Sequence, residues 1–237
     1  MEKNKNTDTL KRQRILKAEC DHLLHSPANA KRLLTALKRA QKKSALFLEE
    51  NLKFHFVKER LIMDLDKAIR KVPNFPKPGI LFYDVTSIFT NAEAFNFVIA
   101  RMEEIYKKEE IDGVIVIESR GFLIGSCYAL HTKLPLVLAR KKGKLPGATI
   151  EESYSLEYGD ATLQIQESDL TPGKRWLIVD DLIATGGTIE AVAKMVKRTG
   201  GAVAGVFSII GLPFLKYSEK IGQHNPVTLI DYHGEHV

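Results

Sequence analysis

Two adjacent carboxylates and a short loop of small residues form the most chemically informative segment of the sequence. The run from 179 to 188 reads VDDLIATGGT, so that Asp180 and Asp181 follow an apolar stretch and precede a loop that opens into a helical pattern. Glycines let backbone N–H groups approach a ligand, threonine hydroxyls add donors, and a helix N-terminus favours negative charge. The segment therefore predicts a phosphate-binding loop beside two acids that suit the hydroxyls of a sugar phosphate.

An ordinary strand–turn–helix is the alternative interpretation, with threonine as the helix cap and the acids at the helix start. A bare Gly-Gly-Thr would favour that alternative, but the whole ten-residue pattern favours the phosphate site. The loop is not a Walker loop, because it lacks the Gly-Lys-Ser/Thr ending.

The elements that must position this segment alternate between strands and helices. Four continuous apolar runs predict strands that are buried on both faces: residues 114–117, 134–139, 176–180 and 202–210. Ile189, Val192, Ala193 and Val196 follow the spacing of a helix that Gly200 ends. This alternation predicts an α/β fold with a mostly parallel sheet between helices, and such sheets bind ligands at the carboxyl ends of their strands.

The remaining segments of this region predict less regular structure. A helix is expected over Leu61–Lys71, ended by Pro73, and residues 80–85 are expected to be extended. Residues 140–160 are polar, contain glycine and are long for a loop of such a core. Because the next six residues alternate like a half-exposed strand, 140–166 is predicted to be a mobile arm or a hairpin.

The composition changes near residue 60, which divides the chain into a helical N-terminal extension (1–60) and a main domain (61–237). The extension is predicted to form two helices, 9–25 and 27–50. It carries 15 Lys and Arg against 7 Asp and Glu, so the whole excess of positive charge lies there. A solvated helical surface is favoured over a contact with nucleic acid or membrane.

Composition and length exclude several classes of protein. With 44% apolar and 27% charged residues, the 237-residue chain is typical of a globular protein rather than a disordered one. Its apolar runs are shorter than a membrane span, and the N-terminus lacks the apolar core of a secretory signal. Cys20 and Cys127 stand far apart, and no histidine has metal-ligand spacing, so we expect a cytoplasmic protein without a structural metal.

The phosphate segment also resembles the phosphoribosyl pyrophosphate signature of the type I phosphoribosyltransferases. Four further segments resemble the adenine-specific branch in order and spacing: FPKPGILFYDVT (75–86), IESRGFLIG (117–125), RKKGKLPGATIEESYSLEYG (140–159) and GLPFL (211–215). The resemblance covers about residues 61–237. It implies the type I core with a short hood, and Mg²⁺-dependent transfer of phosphoribose to adenine, giving AMP and pyrophosphate in purine salvage.

The resemblance assigns roles at the sugar-phosphate end of the substrate. The 5′-phosphate would lie on a loop of five residues: Ala184, Thr185, Gly186, Gly187 and Thr188. Asp180 and Asp181 would bind the ribose hydroxyls and stabilise positive charge on the ring as pyrophosphate leaves.

At the pyrophosphate end, the resemblance implies four cationic side chains: Arg120, Arg140, Lys141 and Lys144. The turn before Arg120 is expected to contain a cis peptide between Glu118 and Ser119. Mg²⁺ would be held mainly by the pyrophosphate, with no direct protein ligand.

Residues 140–160 resemble the lid of this family, which excludes water when it closes. Glu157 would be the acid/base that faces the purine, although it also fits a solvated loop glutamate. Leu81, Phe82 and Leu212 would form the purine pocket. Tyr83 stands where many members of the family have arginine, and it keeps a donor and a flat face without the cation.

Two alternative functions remain open at this point. One is transfer to another purine, namely xanthine, hypoxanthine or guanine. The other is a regulator that senses phosphoribosyl pyrophosphate and binds nucleic acid, which the intact lid segment and the absence of a winged-helix pattern disfavour. The expected partners are therefore adenine and phosphoribosyl pyrophosphate, in a homodimer without membrane or nucleic acid.

Overall fold

The computed structural model describes residues 63–155 and 160–234 of the chain. The chain divides after Glu59, and the described residues belong to the second unit, Arg60–Val237. The helices predicted over 9–25 and 27–50 lie outside the described residues, as does Glu157. The assignment of 1–60 as a helical extension therefore stays a prediction.

Two antiparallel strands form a small sheet at the start of the described chain, β1 (Arg70–Pro73) and β2 (Leu81–Asp84). The other described strands form one sheet. In chain order they are β3 (Gly113–Ile117), β4 (Leu136–Lys141), β5 (Thr149–Ser155), β6 (Asp160–Gln166), β7 (Arg175–Val179), β8 (Leu182–Ile183), β9 (Ala202–Gly211) and β10 (Pro226–Asp231).

The large sheet has the order β10-β9-β7-β3-β4-β6-β5. The strands from β10 to β4 are parallel, whereas β6 is antiparallel to both of its neighbours. The short β8 adds to β9 beyond the end of β7. Each of the four apolar runs in the sequence thus forms a parallel strand, which confirms the predicted α/β class with a mostly parallel sheet.

Helices flank the sheet or join its strands. They are α1 (Leu65–Ala68), α2 (Thr86–Phe89), α3 (Ala92–Tyr106), α4 (Gly121–Thr132), α5 (Gly187–Arg198) and α6 (Tyr217–Ile221). The longest, α3, is capped by Asn91, whose side chain accepts hydrogen bonds from the backbone N–H groups of Glu93 and Ala94. None of the helices in the described ranges is long and apolar enough to cross a membrane.

Side chains on successive residues of β3 enter opposite cores, as the two-residue period of a strand requires. Val114 and Val116 belong to the core that includes α3 and α4. Ile115 and Ile117 belong to the other, with the apolar side of α5. The sheet is therefore covered by helices on both faces, which explains why its strands are continuously apolar.

Close backbone packing holds the start of α4 against the end of β7. A Cβ at Gly121 would lie 2.8 Å from the carbonyl oxygen of Val179, and a Cβ at Gly125 would collide with the side chain of Val116. Glycine at these positions therefore lets the beginning of α4 lie directly beside the carboxylates that follow β7.

Two sequence predictions change in the structure. Of the helix predicted over Leu61–Lys71, the described residues are helical only in α1, because Met63 and Asp64 precede it and Arg70–Pro73 pair with β2. Long-range pairing overrides helical propensity here. The segment 140–166 contains a hairpin, the second of its two predicted forms, which is made of β5 and β6 with Thr149 opposite Gln166.

The small sheet and the C-terminal residues form a hood that matches the short hood expected. The rings of Tyr83 and Tyr232 stack at 3.6 Å, and the Tyr83 hydroxyl donates to the carbonyl oxygen of Gly234 at 2.9 Å. The Tyr232 hydroxyl donates to Asp66 at 2.8 Å. Aromatic stacking and hydrogen bonds thus join two segments that are far apart in the sequence.

Candidate active site

A cleft of about 540 Å³ opens at the carboxyl ends of β3 and β7, where α4 and α5 begin. The described residues that line it are Ile117, Glu118, Ser119, Arg120, Lys141, Tyr154, Asp180, Asp181, Leu182 and the loop Ala184–Thr188. This is the edge of a parallel sheet at which ligands are expected. The fold therefore brings the predicted phosphate loop, both acids and two of the four predicted cations into one cleft.

The carboxyl groups of Asp180 and Asp181 are almost fully buried, with 7% and 5% of each residue exposed. One oxygen of Asp180 accepts a hydrogen bond from the backbone N–H of Asp181 at 2.9 Å. Burial raises the pKa of Asp180 well above its usual range, and the neighbouring charge of Asp181 adds to that rise. Two buried acids side by side create a site that favours a positively charged partner.

Arg120 supplies one such partner from the N-terminal side of α4. Its Nε lies 2.8 Å from Oδ2 of Asp181. Burial raises the pKa of Asp181, and the guanidinium of Arg120 opposes that rise. Arg120, the predicted pyrophosphate ligand, and Asp181, one of the predicted acids, therefore form an ion pair in the lining of the cleft.

The loop Ala184–Thr188 leads into α5, and its last two residues are the first two of that helix. Gly186 has a φ of +77°, in the left-handed region that glycine adopts readily, and its carbonyl oxygen accepts from the N–H of Glu190 at 2.9 Å. A Cβ on Gly186 would also press against Ile221 at 3.3 Å. The first N–H groups of a helix have no partner within it, so this turn presents donors toward the cleft.

Glu118 organises the opposite, basic side of the cleft. The peptide bond between Glu118 and Ser119 is cis, as expected. The Glu118 carboxylate accepts from Nε and Nη2 of Arg140 at 3.2 and 3.3 Å and from the N–H of Lys141 at 3.2 Å. The hydrogen bond from Arg140 holds the pKa of Glu118 below its usual range.

This arrangement separates the four predicted cations. Arg120 and Lys141 line the cleft, whereas Arg140 and Lys144 are not among the described residues that do so. The Arg140 guanidinium binds Glu118 and donates from Nη1 to the carbonyl oxygen of Lys144 at 3.0 Å. Sequence position alone did not distinguish the cleft residues from their neighbours.

The three residues predicted for the purine pocket lie in the hood and beyond the end of β9. Phe82 packs edge-on against Phe75, with ring centroids 5.0 Å apart, and Leu81 packs against the core that includes α3 and α4. Leu212 is buried, and its N–H donates to the carbonyl oxygen of Ile183 at 2.9 Å. Leu212 is therefore hydrogen-bonded to the backbone between two cleft residues, Leu182 and Ala184.

Tyr154 is a cleft residue that the sequence predictions did not include. It lies on β5 of the hairpin and packs against the core that contains α5. The alternation of residues along 149–155 would have indicated which of them face inward, but only after the strand had been recognised.

The comparisons with known proteins agree on one family. A family model described as a phosphoribosyl transferase domain matches residues 84–217. The adenine phosphoribosyltransferase of Treponema denticola is 46% identical over 173 residues, which are 73% of this chain and 91% of its own length. That of Treponema pallidum (strain Nichols) is 49% identical over 171 residues, 72% of this chain and 90% of its own length.

Solved structures give the same answer. Adenine phosphoribosyltransferase from Thermoanaerobacter pseudethanolicus superposes with a TM-score of 0.68 at 38% identity, over 74% of this chain and 99% of that one. The Saccharomyces cerevisiae enzyme, in complex with an iminoalditol bisphosphate and adenine, gives a TM-score of 0.66 at 35% identity, with coverages of 74% and 99%. The described fold, the cleft and these similarities together make the chain a member of the adenine phosphoribosyltransferase family.

Proposed function

We propose that this chain transfers the phosphoribosyl group of phosphoribosyl pyrophosphate to adenine and thereby forms AMP and pyrophosphate in purine salvage. The observation that carries the proposal is the cleft itself, in which two buried acids lie between a phosphate-binding turn and an arginine. Such a cleft can hold an anion at each end and stabilise positive charge between them.

The sugar phosphate would lie at the α5 end of the cleft. The loop residues from Ala184 to Thr188 would bind the 5′-phosphate through their N–H groups and through the hydroxyls of Thr185 and Thr188. Asp180 and Asp181 would bind the ribose hydroxyls. As the bond from C1′ to the pyrophosphate oxygen breaks, the ring takes on oxocarbenium character, and these carboxylates would stabilise it.

Pyrophosphate would lie at the other end, against Arg120 and Lys141, with Arg140 and Lys144 adding positive charge nearby. Within the described residues, no three His, Cys, Asp or Glu side chains are grouped for a metal ion. Two carboxylates beside a substrate polyphosphate do suit Mg²⁺, which commonly combines one or two acids with phosphate oxygens. The ion would be held mainly by pyrophosphate, with Asp180 and Asp181 nearby, and would neutralise charge on the leaving group.

Adenine would enter beside Leu81, Phe82 and Leu212, and its N9 would form the new bond to C1′ on the side opposite the departing pyrophosphate. The proton that adenine loses would pass to Glu157 in the lid. The hydrogen bond from Leu212 to the backbone of Ile183 supports this placement, because it joins the proposed purine pocket to the cleft lining.

The compartment and assembly state belong to the same proposal. We expect a cytoplasmic homodimer. The free thiol of Cys127, the cysteine in the described part of the chain, supports a reducing compartment.

The deciding experiment measures pyrophosphate release from phosphoribosyl pyrophosphate with adenine, hypoxanthine, guanine and xanthine in turn, with and without Mg²⁺. We expect kcat/KM to be highest for adenine and AMP to be the product. Faster release of pyrophosphate with another purine would identify that purine, instead of adenine, as the substrate. Binding of phosphoribosyl pyrophosphate without turnover of any purine would favour a sensor instead of an enzyme.

A further inference from the structure

The hairpin strand β5 has one face turned toward α5, the helix whose N-terminus forms the phosphate turn. Alternate residues of the strand share a face, and here these are Ile150, Glu152 and Tyr154. Ile150 and Tyr154 both pack against the core that contains α5. The hairpin therefore contacts this helix with a defined set of side chains.

Ion pairs hold the middle of this face in place. The carboxylate of Glu152 lies 2.8 Å from Nη1 of Arg198 and 3.8 Å from Nζ of Lys194, both on α5. Arg198 also donates to the backbone carbonyl oxygen of Glu151. These contacts set the position of β5 along the helix, and hence the position of the residue two places further on.

That residue, Tyr154, lies at the boundary between two cavities. It lines the cleft together with Asp180 and the phosphate loop. It also lines a smaller cavity of about 300 Å³ with Gly187 and Ala191, which belong to the first turns of α5. Among the described residues of the hairpin, Tyr154 is the one that lines the cleft.

The phenol of Tyr154 remains a hydrogen-bond donor at neutral pH. Burial raises its pKa above the ordinary value, and the charge of Asp180 raises it further. A neutral phenol beside the start of a helix can donate to an anion bound there, as a hydroxyl next to a phosphate commonly does.

We propose that Tyr154 is a further substrate-binding residue, whose hydroxyl donates a hydrogen bond to the 5′-phosphate held by the Ala184–Thr188 turn and so closes that end of the cleft. This inference rests on the proposed function, because it takes the anion at α5 to be the 5′-phosphate of the phosphoribosyl donor. It gives the hairpin a contact with the sugar phosphate in addition to its lid role at the purine.

The test measures the dissociation constants of ribose 5-phosphate and of pyrophosphate, each alone, for the full chain and for Tyr154→Phe. Loss of a hydrogen bond to a charged group commonly costs about tenfold or more in affinity, so we expect the Kd of ribose 5-phosphate to rise about tenfold. The Kd of pyrophosphate should stay within about twofold, because that ligand belongs at the Arg120 end.

Thr162→Val is the matched control. It removes a hydroxyl from the same hairpin, one that pairs with the Ser153 hydroxyl at 3.0 Å, and it should leave both constants unchanged. Unchanged ribose 5-phosphate binding in Tyr154→Phe, or equal losses for both ligands, would overturn the proposal. AMP formation by the unmutated chain is assayed separately, so a failure of the proposed function is distinguishable from a failure of this contact.

Discussion

The cleft is built from two regions that differ in strand direction, in position within the sheet and in the burial of their acids. Its floor consists of the carboxyl ends of β3 and β7 and the start of α5, all parts of the parallel sheet and its covering helices. Its hairpin, β5 and β6, is antiparallel and lies at the sheet edge. The acids of the floor are buried, whereas the acids of the hairpin form partly exposed ion pairs, such as Glu151 with Lys142 at 3.0 Å.

This difference indicates that the floor and the ion pairs of the hairpin have different roles. Charges that must act on a developing positive charge are most effective when water is excluded and the surrounding structure is rigid. Ion pairs near the surface contribute little each, so the loss of one of them from the hairpin should cost little stability. The comparison therefore predicts that mutations in the floor act mainly on chemistry and binding, and that mutations of the ion pairs of the hairpin act weakly.

The largest effect is expected in the floor. Replacing Asp180 and Asp181 together by Asn should lower kcat by about 10⁴ or more, because each substitution removes an electrostatic stabilisation that is worth a factor of about 10²–10³ in kcat. Pyrophosphate release measured by a coupled assay checks this, and circular dichroism checks the fold. Turnover close to that of the unmutated chain would contradict the proposed role of the pair.

The single variant Asp180→Asn should also be more stable at pH 7. Because the pKa of Asp180 is raised in the folded state, this carboxyl favours folding below its unfolded pKa of about 4, and the stabilisation is lost as the pH rises through the folded pKa. Asparagine does not ionise, so the variant avoids the cost of burying a carboxylate charge at pH 7. Thermal unfolding at pH 7 and at acidic pH measures it, and a Tm gain that is the same at both pH values would contradict the burial argument.

The next effect tests Glu157, the acid/base proposed for the lid segment. Glu157→Gln keeps shape and hydrogen bonding but removes acid–base function, so kcat should fall by about 10²–10⁴. The KM values should change much less, and one limb of the pH–rate profile should disappear. A variant with nearly full kcat and an unchanged profile would show that adenine passes its proton elsewhere and that the lid only excludes solvent.

A binding effect of intermediate size is expected at the phosphate turn. Gly187→Val places a branched side chain where the backbone must approach phosphate, and affinity for phosphoribosyl pyrophosphate should fall about 100-fold, as loss of more than one charged hydrogen bond implies. Adenine affinity should change little. Gly222→Val is the control, because a Cβ there meets nothing within 4 Å. Equal losses of both ligands by Gly187→Val would indicate general damage to the fold.

The smallest effect is expected in the hairpin body. Glu152→Gln removes the ion pairs with Arg198 and Lys194, and the free energy of unfolding should fall by at most about 1 kcal/mol, with a smaller loss at high salt. Urea unfolding at two salt concentrations measures this. Glu151→Gln, which breaks the pair with Lys142 instead, is the matched control. A much larger loss that is insensitive to salt would mean that the hairpin is as firmly built as the floor.

Sequence reasoning predicted the floor well because its signals are local. A buried strand, two acids and a glycine-containing loop follow one another within ten residues, and the structure keeps them together in one cleft. The stripe Ile189, Val192, Ala193 and Val196 is buried on α5 as its spacing predicts.

The remaining features depend on contacts that the sequence order does not reveal. The pairing of Arg140 with Glu118 crosses 22 residues, and it decides which of the basic residues are free to face the cleft. The end of the predicted helix at Lys71 became a strand because β2 pairs with it. Tyr154 became a candidate only when β5 was found to lie against α5.

The hood has a consequence for the order in which the molecule is assembled during synthesis. The hydrogen bond from Tyr83 to Gly234 joins residues 151 positions apart, and that from Tyr232 to Asp66 spans 166. Contacts of such long range form late, because loop-closure entropy must be overcome and residues 232–234 leave the ribosome after the strands that precede them. A nascent chain can therefore pair β3, β4, β7 and β9 first, and the enclosure proposed for the purine is completed only when Tyr232 and Gly234 follow.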